Sequence, residues 1–168
     1  MNGVHLTLRE LHKGERALEK ALLAAAERHH TEHEIHHVAH DLARWSHEHT
    51  TRITEAAQHY ALDLSGPSDH PAPGPLATLR EKAADTVGRR PEPGLLLLRD
   101  LRDLHLAAAE NSLHWEMLAQ AAQATRDDRL LQLASACHPQ TLRQMRWTNT
   151  MIKNLSPQLL TTVGVGKE

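Results

Sequence analysis

Cysteine and aromatic side chains are scarce in this sequence. Its 168 residues include one cysteine, Cys137, one tyrosine, three tryptophans and no phenylalanine. A single cysteine cannot form a disulfide within the chain, so we expect a cytoplasmic rather than a secreted protein. Because so few aromatics are available, the interior has to be built from leucine and alanine, which favours closely packed helices over a sheet.

The sequence also lacks an excess of either charge and any long apolar run. Its 19 Lys and Arg residues nearly balance 21 Asp and Glu residues, so no net field attracts nucleic acid or an anionic membrane. The longest leucine run, Leu95–Leu98, stops at Arg99 and is too short to cross a bilayer. Residues 1–10 contain no apolar stretch typical of a secretion signal. We therefore expect neither a nucleic-acid partner nor a membrane partner.

Apolar residues recur at gaps of three and four, which predicts four amphipathic helices. The predicted spans are about 7–29, 32–61 and 94–123, with a fourth helix beginning near residue 125. Capping-box pairs beginning at Thr7, Thr31 and Thr125 are typical of helix N-termini. Since no Gly or Pro marks the reversal near Thr31, one continuous helix over the first two spans remains an alternative.

Proline is concentrated between the second and third predicted helices. Six of the eight prolines lie between residues 63 and 93, around a short helical pattern at 76–87. Such a segment is too long for a hairpin and predicts a crossover over 62–93. We expect one domain over residues 1–155, with residues 156–168 as a flexible C-terminal tail.

Each predicted core stripe contains one polar residue. These residues are Glu15, His49, Asn111 and His138, the last of them in a stripe with Leu131, Ala134, Thr141, Met145, Thr148 and Ile152. Glu15 and His49 lie at similar distances from the first reversal, and Asn111 and His138 at similar distances from the second. If the second and third helices begin at the same end of the bundle, all four side chains lie at one level near its middle.

This arrangement resembles the ferritin-like superfamily, whose di-iron members carry inward-pointing Glu and Glu-x-x-His residues on four helices. The resemblance implies an all-α, ferritin-like four-helix bundle with a long crossover that contains a short helix. It also implies that Glu15 stands for the first-helix carboxylate, and His49 and His138 for the two motif histidines. Three positions that hold carboxylates in di-iron members hold Ser46, Asn111 and Ser135 here. One carboxylate cannot bridge and neutralise two irons, so the site is degenerate and no usual ferroxidase is expected.

Two interpretations of the four polar residues remain open. Two imidazoles and one carboxylate are the ligand set of a single Zn, Fe or Mn ion, with Asn111 as a weak fourth ligand. Alternatively, Glu15, His49, Asn111 and His138 form a buried hydrogen-bond network that fixes helix register without chemistry.

A second group of histidines lies on the opposite, polar face of the second helix. His33, His36, His37 and His40 include two pairs at i, i+4 spacing, which binds transition metals weakly from one helix face. The alternative is a solvated histidine-rich surface. If a second subunit completed the ligand shell, the stripe would also be an interface of a homo-oligomer.

Catalytic motifs are nearly absent. The segment from His33 to His37 matches the H-E-x-x-H pattern of zinc peptidases, but both histidines lie off the core stripe and no strands frame a cleft. No Gly-rich phosphate loop, nucleophile elbow or C-x-x-C pair occurs. The sequence therefore indicates no enzyme class.

Two functions follow as hypotheses from the resemblance. One is a metal-binding ferritin-like protein with a role in metal or oxidant handling. The other is a metal-free ferritin-like scaffold or interaction module, with a homo-oligomer expected in either case. The segment 160–164 resembles the C-terminal peptides that load ferritin-like cargo into encapsulin shells, which makes a shell a further candidate partner.

Overall fold

The computed structural model describes residues 2–65 and 92–162. These residues form four helices and no strand: α1 (Gly3–Arg28), α2 (His33–Gln58), α3 (Pro93–Thr125) and α4 (Asp128–Thr162). The expectation of an all-α bundle of four helices is confirmed. The predicted helix at 76–87, and the crossover apart from its two ends, lie outside the described residues.

The hydrophobic core fixes the direction of each helix. One cluster joins the first half of α1 and of α4 to the second halves of α2 and α3; its largest members are Leu8, Leu11, Ile53, Trp115, Leu118 and Leu130. A second cluster joins the second half of α1 to the first halves of α2 and α3 through Leu22, Leu42 and Leu104. Helices α2 and α3 therefore run parallel to each other and antiparallel to α1. Helix α1 packs against α2 and α3, and α4 packs against α3 and α2.

The reversal between α1 and α2 is confirmed, but two predicted capping boxes are wrong. Helix α1 begins before Thr7, because the Asn2 side chain accepts a hydrogen bond from the His5 amide at 2.9 Å. The Thr7 hydroxyl instead donates back to the Gly3 carbonyl. At α2 the N-cap is Glu32, which makes no side-chain capping bond. Capping-type polar residues therefore predicted the approximate position of each helix start but not its first residue.

The turn between α3 and α4 is capped by Asp127 rather than by Thr125. Arg126 adopts a left-handed conformation with φ of 54°, which ends α3. The Asp127 carboxylate then accepts from the Leu130 amide through Oδ1 and from the Tyr60 hydroxyl through Oδ2 at 2.7 Å. One aspartate thus caps α4 and ties the turn to the segment after α2.

The Tyr60 contact gives a direct titration test. Burial, followed by the hydrogen bond to Asp127, raises the pKa of Tyr60 to about 12. Because the chain contains a single tyrosine, the absorbance change of tyrosinate reports this residue alone. We expect Asp127→Ala to move the transition part of the way towards the ordinary value of about 10, since burial remains. A transition near the ordinary value in the parent protein, with circular dichroism showing it still folded, would contradict the contact.

The predicted core stripe of α4 is wrong at every second position. The expected stripe and the observed one share Ala134, Thr141 and Thr148, and differ by one residue between these points. The sequence favours Leu131, His138, Met145 and Ile152, whereas the structure buries Leu130, Cys137, Gln144 and Met151. Both sets keep gaps of three and four, so periodicity alone cannot choose between them. In the observed register, Cys137 faces the core and His138 lies outside the bundle centre.

Helix α4 continues beyond the predicted domain end at residue 155. It passes through Pro139 and Pro157 and ends at Thr162. Near its end, Leu159 packs over Gly94, and a methyl group added to Gly94 would lie 2.5 Å from Leu159 Cδ2. This contact joins the end of α4 to the start of α3, and the flexible tail over 156–168 stays a prediction. Residues 163–168 lie outside the described range.

Candidate functional site: a buried polar network

A carboxylate and an imidazole meet in the middle of the bundle. Glu15 of α1 and His49 of α2 are 0% and 1% exposed. His49 Nδ1 donates to Glu15 Oε1 at 3.1 Å, and Trp115 Nε1 of α3 donates to the same oxygen at 3.0 Å. Glu15 therefore links three helices through one oxygen atom. Its second oxygen, Oε2, is buried without a hydrogen-bond partner.

The second ring nitrogen of His49 is also engaged. His49 Nε2 lies 2.7 Å from the Gln140 side-chain oxygen of α4. If the Gln140 amide is turned around, its nitrogen donates to Nε2 instead, so the contact persists in either orientation. Both nitrogens of His49 thus bond to protein groups, and the ring edge packs against Trp115 at a centroid distance of 5.9 Å. No free nitrogen is left on His49 to bind a metal ion.

A second polar contact lies one helical turn away. Gln144 of α4 is buried and donates through Nε2 to the Leu42 carbonyl at 3.1 Å and to the Ser46 hydroxyl at 2.9 Å. Ser46 is the residue that the predicted ferritin-like resemblance places where a ligand carboxylate would be. Here it accepts a hydrogen bond that holds α4 against α2, which is a structural use of the position.

Asn111 is buried where α3 packs against Gly14 of α1. A methyl group added to Gly14 would overlap with Asn111 Oδ1, so the Asn111 amide occupies the space that the missing side chain leaves. Asn111 Nδ2 has no hydrogen-bond partner. The structure therefore places Asn111 inside the bundle, as expected, but packs it against the α1 backbone.

His138 lies apart from the other three predicted ligands. Its side chain is 18% exposed, with Nε2 2.9 Å from the Ser112 hydroxyl and Nδ1 3.9 Å from Glu116 Oε2. The expectation that His138 points inward is corrected because α4 is rotated by one residue, which places Cys137 in the core instead. The structure thus brings Glu15 and His49 into direct contact. Asn111 is buried against α1, and His138 points towards α3.

Cys137 takes the inward position beside the carboxylate. Burial, and then the negative charge of Glu15, raise the pKa of the Cys137 thiol to about 12. A thiol held in this protonated state is a poor nucleophile and a poor metal ligand. Cys137 is therefore a packing residue of the core.

A second buried carboxylate, which the sequence pattern missed, lies at the end of the bundle that holds the α1–α2 turn. Asp100 of α3 accepts from Arg28 and from His29 Nε2, the latter at 2.7 Å, and Arg99 donates to its other oxygen at 3.2 Å. An open cavity of about 240 Å³ between α1 and α3 adjoins this cluster and is lined partly by Ala21. Because its two arginines already pair with Asp100, the cluster serves to fix α3 against the α1–α2 turn.

The predicted surface stripe forms a contiguous set of rings. The ring centroids of His33 and His37 are 4.3 Å apart, those of His36 and His37 are 5.1 Å apart, and those of His36 and His40 are 4.9 Å apart. Across residues 2–65 and 92–162, no group of three or more His, Cys, Asp or Glu side chains is placed to hold a metal ion. The stripe is thus a set of histidine pairs.

The comparisons with known proteins add no assignment. No protein-family model, curated protein or solved structure matches this chain significantly. Within the part of the chain that the structure describes, no helix is both long and apolar enough to span a bilayer.

Proposed function

We propose that this protein is a metal-independent helical scaffold of ferritin-like connectivity that acts by binding a second copy of itself. Parallel α2 and α3 support this connectivity, because the chain must return to the starting end of the bundle between them. The 34 residues between Gln58 and Pro93 reach up to about 110 Å when extended. This is ample for α3, whose 33 residues extend about 50 Å.

The observation that carries the self-association proposal is the outer face of α3. Leu106, Leu113 and Met117 are 60%, 65% and 50% exposed. Their spacings of seven and four residues align them along one side of the helix. Exposed leucines at single positions are ordinary, but a row of large apolar side chains on one helix is typical of a contact surface.

A second copy fits this row in an antiparallel arrangement. With a twofold axis between residues 109 and 110, Leu106 of one copy faces Leu113 of the other. The small Ala109 and the exposed Glu110 then flank the axis at the centre of this row. On one flank, Arg102 comes within about one residue's rise of Glu116 of the second copy, so opposite charges meet at the edge.

Sedimentation velocity on the chain without an affinity tag tests this proposal. At about 100 µM protein we expect a dimer, with a monomer for Leu113→Glu, because each introduced carboxylate would be buried against Leu106 of the other copy. Leu142→Glu is the matched control, since Leu142 is 45% exposed on α4 and should leave the dimer intact. A monomeric parent protein, or dissociation by Leu142→Glu alone, would overturn the proposal.

A role in metal or oxidant handling has weaker support. Only Glu15 Oε2 remains unpartnered among the predicted carboxylate and imidazole ligands of the interior, since His49 is fully engaged. The shell-cargo alternative depends on residues 160–164, of which only 160–162 are described. A cytoplasmic location remains part of the proposal and is supported by the free, buried Cys137.

A further inference from the structure

The four-histidine surface at the beginning of α2 contains one ring that is held by another helix. His36 Nδ1 lies 2.8 Å from the backbone carbonyl of Ala26 in α1. A carbonyl oxygen only accepts, so Nδ1 carries the proton and donates. In the neutral ring, the lone pair is consequently on Nε2.

This is the arrangement that metal-binding histidines commonly use. A ligand histidine usually donates its other ring N–H to a carbonyl or carboxylate, which fixes both tautomer and ring orientation. His36 already has that outer hydrogen bond, and the ring is half-buried between α1 and α2. Its Nε2 therefore needs little reorganisation to bind an ion.

His40 supplies the second ligand one turn further along. It is exposed, and its ring centroid lies 4.9 Å from that of His36 with the ring planes at 79°. Two imidazole nitrogens bound about 2.05 Å from one ion, at an angle between about 90° and 110°, require ring centroids roughly 4.5–5.2 Å apart. The observed separation lies within this range.

We propose that His36 and His40 chelate one borderline transition-metal ion on the protein surface, with Cu²⁺ bound more tightly than Ni²⁺ or Zn²⁺. The order follows from the affinity series of imidazole ligands for divalent metals. Water completes the coordination, because the protein offers two ligands and no group of three among the described residues. The inference does not depend on self-association through α3.

His47 provides the control for a general effect of exposed histidines. It lies on the same helix, is 67% exposed and pairs with Glu19 at 3.1 Å. The positions four residues to either side of it are Ala43 and Thr51, so it has no histidine partner at the chelating spacing. Its removal should leave metal binding unchanged.

The test is calorimetric titration of Cu²⁺ into the full chain without an affinity tag, with electron paramagnetic resonance of the complex. We expect one equivalent bound through two imidazole nitrogens, a loss of affinity of about tenfold or more for His40→Ala, and no change for His47→Ala. Because His40 is exposed, this variant should fold normally, which circular dichroism checks. Equal affinity in His40→Ala, equal weakening in His47→Ala, or loss of binding only in His33→Ala/His37→Ala would overturn the assignment.

Discussion

Replacing Glu15 with alanine is expected to lower the free energy of unfolding by about 3–5 kcal/mol. The substitution removes the acceptor that His49 Nδ1 and Trp115 Nε1 share, and all three residues are at most 1% exposed. Both donors would then stay buried without a partner, and the removed side chain would leave a cavity beside them. Urea unfolding followed by tryptophan fluorescence measures the change.

Two further variants distinguish the effect of losing the buried network from the general effect of removing a glutamate. Glu27→Ala, at an exposed position on the same helix, should change the free energy of unfolding by no more than about 0.5 kcal/mol. Replacing both members of the pair, in Glu15→Leu/His49→Leu, should cost less than Glu15→Ala because the His49 donor is removed together with its acceptor, which leaves Trp115 Nε1 as the unpaired donor of the three-residue contact. Equal effects of Glu15→Ala and Glu27→Ala would show that the buried contacts do not form.

Replacing Asp100 with asparagine is the second substitution expected to have a large effect, about 2–4 kcal/mol. The Asp100 side chain is 8% exposed and pairs with Arg28, His29 and Arg99. Asparagine keeps the size but removes the charge, and its NH₂ group cannot accept from the cations. The contact that fixes α3 against the α1–α2 turn would be lost. Both the first turns of α3 and the α1–α2 turn should therefore be held less firmly.

The Asp100 cluster also predicts the direction of a pH effect. Burial by itself raises the pKa of Asp100, but hydrogen bonds from His29, Arg28 and Arg99, with the charge of Arg28, outweigh it and lower the pKa. A lowered carboxyl pKa means that the unfolded chain takes up the proton first. The contribution of Asp100 to stability is therefore present above the ordinary aspartate value of about 3.9, and is lost as pH falls through the lower folded value.

Urea unfolding across the acid range tests the sign. We expect the parent protein to lose more stability than Asp100→Asn when the pH falls from about 5 to about 3. Asp103→Asn is the control, because Asp103 is 57% exposed and pairs with its sequence neighbour Arg102. If Asp100→Asn and the parent protein lost stability in parallel, the ion cluster would make no net contribution.

The sequence predicted the helices well because their apolar spacing is clear in three of four cases. The facing of Glu15 and His49 followed from counting residues to the reversal, since antiparallel helices have equal rise per residue. Helix α4 was harder, because Leu130 and Leu131, or Met151 and Ile152, are equally good core residues. The rotation of α4 is decided by packing against Trp115 and by the Gln144 contact with Ser46, and neither is a local property.

The polar network was only half predictable for the same reason. Buried histidine and glutamate stand out in an apolar stripe, whereas glutamine and serine are common on helix surfaces. Gln140 and Gln144 become recognisable only once the rotation of α4 is known. Asp100 was missed because it lies at the edge of the core stripe, where an aspartate is typical of a solvated helix face.

The central claim is that the Glu15–His49 network stabilises the bundle without a metal ion. The most direct test measures the melting temperature of the His40→Ala variant, which lacks the surface pair, after dialysis against a chelator and after addition of Zn²⁺, Fe²⁺ or Mn²⁺. The account predicts the same melting temperature in every case. Stoichiometric binding that raises it by several degrees, and that disappears when His49→Ala is added, would contradict the account.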